Sequence, residues 1–158
     1  MLVYTYMTRF LGIDFGTKRV GIATSDEGGT LAFPKEILKN DSNLLENIKK
    51  ICQKEEIGEI VIGESENGNG EQNKIMESII SFRELLENET NLPIVFEKEF
   101  MTSVEARGRD GKERNNAKKI KKINDKKTLL RQGYAGQEVD DLAAAIILQR
   151  YLDKNKFK

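Results

Sequence analysis

Phe10-Leu11-Gly12-Ile13-Asp14-Phe15-Gly16-Thr17-Lys18-Arg19-Val20-Gly21-Ile22-Ala23 is the stretch from which the rest of the chain is read. Two apolar runs of strand character flank a polar turn, and a carboxylate, Asp14, closes the first run. Asp is depleted in strands. Keeping one at the end of a buried strand costs stability unless a cation or a hydrogen-bond donor meets it. Gly16 lets the chain reverse tightly, and Lys18 and Arg19 set two cations beside the acid. Two readings follow: a metal-holding carboxylate with a phosphate-facing turn, or a hairpin whose Asp serves only the turn.

Around this stretch the chain has 158 residues, 38% hydrophobic and 33% charged. That length suits one domain with a proper core, and the composition is not that of a disordered chain. No apolar run approaches the roughly 20 residues of a membrane span. The first eight residues lack the layout of a secretory signal and are expected to form a flexible tail. The single cysteine, Cys52, excludes an internal disulfide and suits a reducing compartment, so a soluble cytoplasmic protein is expected.

Histidine is absent. Ser-His-Asp and Cys-His catalysis are thereby excluded, together with the usual zinc sites. An enzyme built from this sequence works with carboxylates, lysines, hydroxyls or a metal, and hard oxygen ligands favour Mg2+ or Mn2+.

The formal net charge is zero, yet it is unevenly spread. Between Arg107 and Arg131 eleven basic residues face only Asp110, Glu113 and Asp125, a local excess of eight. Arg107, Arg109, Lys118, Lys119, Lys121 and Lys122 belong to this run. Such asymmetry focuses a positive field on one part of the surface and suits a nucleic-acid backbone. With few apolar anchors, the segment 107–136 is expected to be mobile when free.

Periodicity predicts strands over 10–14, 20–25 and, more weakly, 30–38, with a turn at Asp26-Glu27-Gly28-Gly29. A helix capped by Ser42 or Asp41 follows, then a buried strand over 59–63 and a loop over 64–70. Ile75, Ile79, Phe82 and Leu86 mark a second helix. A strand over 94–99 and a closing helix over about 139–152 complete the pattern. Three strands in a meander followed by strands linked through helices predict an α/β fold. Its five-stranded sheet is mixed, antiparallel first and then parallel, with flanking helices.

Three acids fall at the ends of elements: Asp14, Glu99 and Asp140. Ligands gather at such ends in open sheets, and converging carboxylates can hold divalent cations for phosphodiester cleavage. Asp140 also suits a helix N-terminus, and Glu97 shares a strand face with Glu99.

Four blocks then resemble one family. The run from Ile13 to Ala23 is similar to the opening motif of the YqgF family of Holliday junction resolvases and pre-ribosomal-RNA nucleases. Ile60-Val61-Ile62-Gly63 with Asn67 and Gly70 resembles its central loop. Glu99-Phe100-Met101-Thr102-Ser103 resembles its third motif, and Val139 to Asp153 its closing helix. Lys98 and Phe100 replace the family's Asp and Arg around Glu99, and Glu64-Ser65 replaces its Leu-Pro.

The resemblance implies a single RNase H-like nuclease domain over 1–158. It implies a metal-dependent hydrolase whose catalytic and metal-binding acids are Asp14, Glu99 and Asp140. Nucleic acid would be held by Thr17, Lys18, Arg19, Asn67 and Thr102 together with the basic run. Maturation of pre-16S rRNA in ribosome biogenesis is the expected activity. A Holliday junction resolvase-like DNA nuclease and a nucleic-acid-binding module with reduced catalysis are the alternatives. The expected partner is precursor rRNA or branched DNA, with no membrane, and the pattern allows a weak homodimer. A sugar-kinase or actin-like ATPase needs a second domain and a second phosphate loop, which this chain lacks.

Overall fold

The computed structural model describes residues 8–64, 71–98 and 142–156, and of 71–73 the backbone alone. Met1–Glu99 groups with Ala143–Lys158, apart from Phe100–Leu142, and the strands and helices named below belong to the first group. Five strands make up the sheet: β1 (Arg9–Phe15), β2 (Arg19–Ser25), β3 (Ala32–Lys39), β4 (Ile57–Glu64) and β5 (Ile94–Lys98). Three helices accompany them: α1 (Leu44–Lys54), α2 (Glu71–Thr90) and α3 (Ala143–Asn155).

The strand order is β3-β2-β1-β4-β5. β1 pairs antiparallel with β2, and β2 with β3, whereas β1–β4 and β4–β5 are parallel. This is the mixed sheet the sequence predicts. The three parallel strands therefore deliver their C-terminal ends, Phe15, Glu64 and Lys98, to one edge of the molecule.

Alternation along the strands sorts side chains to two faces. Leu11 and Ile13 of β1, Val20 and Ile22 of β2, and Ile60 and Ile62 of β4 pack in one cluster with Ile48 of α1 and Ile79 and Leu86 of α2. The other face is built from smaller residues. Ala23, Ala32 and Val61 cluster there with Ala144, Ala145, Ile147 and Leu148 of α3.

Glycines let α3 approach closely. A Cβ at Gly12 would lie 2.8 Å from Leu148 Cβ and 2.9 Å from the Ala144 carbonyl oxygen, and one at Gly63 would lie 2.5 Å from Ile147 Cδ1. The Ala-rich first turn of the helix rests on strands stripped of side chains.

Several element limits differ from expectation. β1 runs one residue past Asp14, because Phe15 pairs with Val20 and its ring packs 5.1 Å from that of Phe82. The cap of α1 is Asn43, not Ser42 or Asp41. Asp41 acts one step earlier: its Oδ1 accepts the Asn43 N–H at 2.9 Å, and its carbonyl accepts the Leu44 N–H at 3.1 Å. The turn after β2 is as predicted, with Asp26 Oδ1 accepting the N–H groups of Thr30 and Leu31 at 2.7 and 3.0 Å. Among the described residues no helix is long and apolar enough to cross a membrane.

Candidate active site

Asp14 is the penultimate residue of β1 and is half-buried. It sits opposite Gly21 in the antiparallel register. A Cβ at Gly21 would lie 3.6 Å from Asp14 Cβ and 3.5 Å from Ala144 Cβ. The carboxylate thus belongs to the α3 face of the sheet, next to the first turn of that helix. Continuing the parallel register of Ile13 with Ile62 sets Gly63 on its other side. Glycine on both flanks lets α3 seat close beside the carboxylate, because Ala144 Cβ and Ile147 Cδ1 stand where side chains at Gly21 and Gly63 would reach. The carboxylate is the kind of hard oxygen donor that a divalent cation takes.

The turn beyond β1 is rigidly tied. A Cβ at Gly16 would fall 2.5 Å from the Arg19 carbonyl oxygen, so only glycine fits. Asn40, just past β3, clamps the turn from the side. Its Nδ2 donates to the Gly16 carbonyl at 2.8 Å, and its backbone N–H donates to the Lys18 carbonyl at 3.0 Å. Thr17, Lys18 and Arg19 are all exposed, at the same sheet edge as Asp14.

Glu97, the rival acid on β5, has another partner. It pairs with Gly63 of β4 and is only 6% exposed, on the same sheet face as Asp14 but two strands away, roughly 10 Å at 4.8 Å per strand. Lys154, in the last turn of α3, donates Nζ to its carboxylate. One helical turn earlier, the Tyr151 hydroxyl donates to Glu59 Oε1 at 2.6 Å. Burial, followed by that hydrogen bond, pushes the Tyr151 phenol up to about 12. These two contacts fasten the far end of α3 and give Glu97 a structural task. The sequence presents Glu97 only as a competitor, because the pairing joins residues 57 positions apart.

Glu64 shares a strand face with Ile60 and Ile62, away from Asp14. The remaining candidates (Glu99, Asp140, Asn67, Thr102, Arg107, Arg109, Lys118, Lys119, Lys121 and Lys122) lie outside the described residues. Among the described residues no three acidic, histidine or cysteine side chains converge as metal ligands.

The chain is similar to known proteins over nearly its whole length. A family model described as RuvX, Holliday junction resolvase, matches residues 8–154. A protein of Thermoanaerobacter pseudethanolicus named "Putative pre-16S rRNA nuclease" is 32% identical over 152 residues, covering 95% of this chain and 99% of that one. A protein of the same name from Clostridium acetobutylicum is 35% identical over 147 residues, covering 92% and 98%.

Among solved structures, RuvC of T. thermophilus in complex with a Holliday junction substrate shares the fold at 13% identity. Its TM-score is 0.57, over 94% of this chain and 97% of that one. The Holliday junction resolvase of fowlpox virus does so at 16% identity, with a TM-score of 0.50 over 93% and 99%. The mixed sheet is therefore that of the RNase H-like resolvases, and the chain belongs to the RuvX (YqgF) family of nucleases.

Proposed function

We propose that this chain is a divalent-metal-dependent endonuclease that cleaves structured nucleic acid, and that its substrate is the precursor of 16S rRNA. One observation carries the reading: the Asp14 carboxylate sits between glycines at the C-terminal edge of the parallel strands, against the first turn of α3. The two other candidate acids lie next to described elements in sequence. Glu99 directly follows Lys98, the last residue of β5, and Asp140 precedes Ala143, the first of α3, by three residues.

Asp14, Glu99 and Asp140 would hold Mg2+ or Mn2+. A divalent cation held there would supply the chemistry of activating a water and neutralising charge on the leaving oxygen. The chain's own residues bind and orient. Thr17, Lys18 and Arg19 contact backbone phosphates on either side of the cleavage point. The basic run from Arg107 to Arg131 adds affinity without sequence preference. Fixing the turn through Asn40 holds these donors ready before substrate arrives. Processing of rRNA places the protein in the cytoplasm.

The names of the full-length relatives favour RNA. The family's description favours a branched DNA junction as the second reading. Labelled precursor rRNA and a four-way DNA junction, assayed side by side with Mg2+, separate the two. Asp14→Asn should lower cleavage by roughly a hundredfold or more, since even outer-shell partners of metal sites cost 10- to 100-fold. Its folded state should persist, with the shape of the side chain unchanged. Near-normal turnover by this variant would remove Asp14 from the mechanism.

A further inference from the structure

A cleft of about 190 Å³ opens at the same sheet edge as Asp14 but on the opposite face, lined by Phe15, Thr17, Asn40, Lys74, Ile75 and Ser78. Phe15 follows Asp14 in β1, so the two side chains leave the strand on opposite sides. The distance between the two sites is on the order of 10 Å, the spacing of layers packed on a sheet. The Gly16–Lys18 turn forms the rim between them.

The lining has two characters. Phe15, backed by Phe82, and Ile75 of α2 make an apolar wall. Thr17, Asn40 and Ser78 add neutral polar groups, and Lys74 adds one cation at an exposed position. Asn40 gives one Nδ2–H to the Gly16 carbonyl and carries an Oδ1 acceptor, and Ser78 Oγ donates to the Lys74 carbonyl at 3.0 Å. A cleft of this size takes a planar ring system.

From this geometry we infer that the cleft receives the base of a nucleotide flanking the cleavage point, with its phosphate toward Lys74. The inference rests on the nuclease reading and narrows the substrate. A base enters the cleft only if it is unstacked, so the strand beside the cleavage point must be single-stranded or splayed. Recognition of unstacked bases on apolar side chains is the general mode for RNA loops and single strands. The exposed Thr17, Lys18 and Arg19 lie along the path from Asp14 over the rim.

The test uses the full-length protein, labelled with 15N and titrated with uridine monophosphate, with inorganic phosphate as control. The nucleotide should shift the amide signals of Thr17, Asn40, Lys74 and Ser78, and phosphate alone should shift them less. A fluorescent single-stranded RNA octamer should bind about tenfold more weakly to Ser78→Trp, which fills the cleft, and about threefold more weakly to Lys74→Ala. Lys74 is exposed, so its variant decides the matter even where Ser78→Trp fails to fold. Nucleotide shifts confined to other residues, or wild-type affinity in folded variants, would overturn the inference. A protein that binds the mononucleotide in the cleft yet cleaves nothing upholds the cleft and sinks the nuclease reading. One that cleaves RNA while its cleft ignores the mononucleotide does the reverse.

Discussion

Single residues at the far end of α3 show how burial and pairing set protonation. Tyr151 is pushed up to about 12, chiefly by burial and then by its hydrogen bond to the Glu59 carboxylate. A phenol whose folded value exceeds the unfolded value of about 10 stabilises the native state fully below pH 10. That share is lost as pH rises from 10 toward 12. Urea unfolding at pH 9, 10 and 11 should therefore show a falling midpoint, and Tyr151→Phe should flatten the fall. An equal fall in the variant would mean that other groups carry it. Glu55 works in the opposite sense. The hydrogen bond from Lys35 is the main cause of its lowered value, and Arg9 and Lys54 add to it. Its contribution is present above pH 4.5 and is lost as acid protonates the carboxylate.

At the scale of elements, the decisive contact is α3 on the sheet. The Ala143–Ala145 run and the glycines beneath it make an interface with little side-chain volume, where a single methyl group is felt. Gly12→Ala drives its Cβ into Leu148 and the Ala144 backbone. It should cost about 1–3 kcal/mol, the usual range for overpacking, read as a lower denaturation midpoint. Gly21→Ala meets only ordinary contact distances, 3.5 Å to Ala144 and 3.6 Å to Asp14. It should cost distinctly less stability while crowding the carboxylate, so its loss should appear in cleavage instead. Equal destabilisation by both variants would show that α3 does not seat on β1 as described.

For the molecule as a whole, charge is the property to probe. The chain is neutral overall, yet eleven basic residues against three acidic ones sit between Arg107 and Arg131. In sequence this run lies between the two candidate ligands Glu99 and Asp140. Replacing Lys118, Lys119, Lys121 and Lys122 together by Ala should weaken binding to many sequences alike. It should also flatten the dependence of log affinity on log salt by roughly 0.7–0.9 for each phosphate that is no longer neutralised. Anisotropy over a salt series reads this directly, and an unchanged slope would place nucleic acid elsewhere.

Much of this protein is written locally. The alternation from Phe10 to Ala23, the Asp26 turn and the helical spacing of Ile75, Ile79, Phe82 and Leu86 each lie within one short window. They therefore announce the strands of the sheet, the position of Asp14 and the second helix, whereas the family is read from four blocks spread along the chain. The start of α1 is less legible, because Asp41, Ser42 and Asn43 are all good capping residues and backbone geometry chooses among them. Tertiary structure alone decides the rest. It makes Glu97 a partner of Lys154 rather than a competing acid, Asn40 the clamp of the first turn, and three glycines the bed of α3. Each of these joins residues far apart in the chain. Periodicity reports which face a residue occupies, whereas the group it meets there is settled only when separate elements pack.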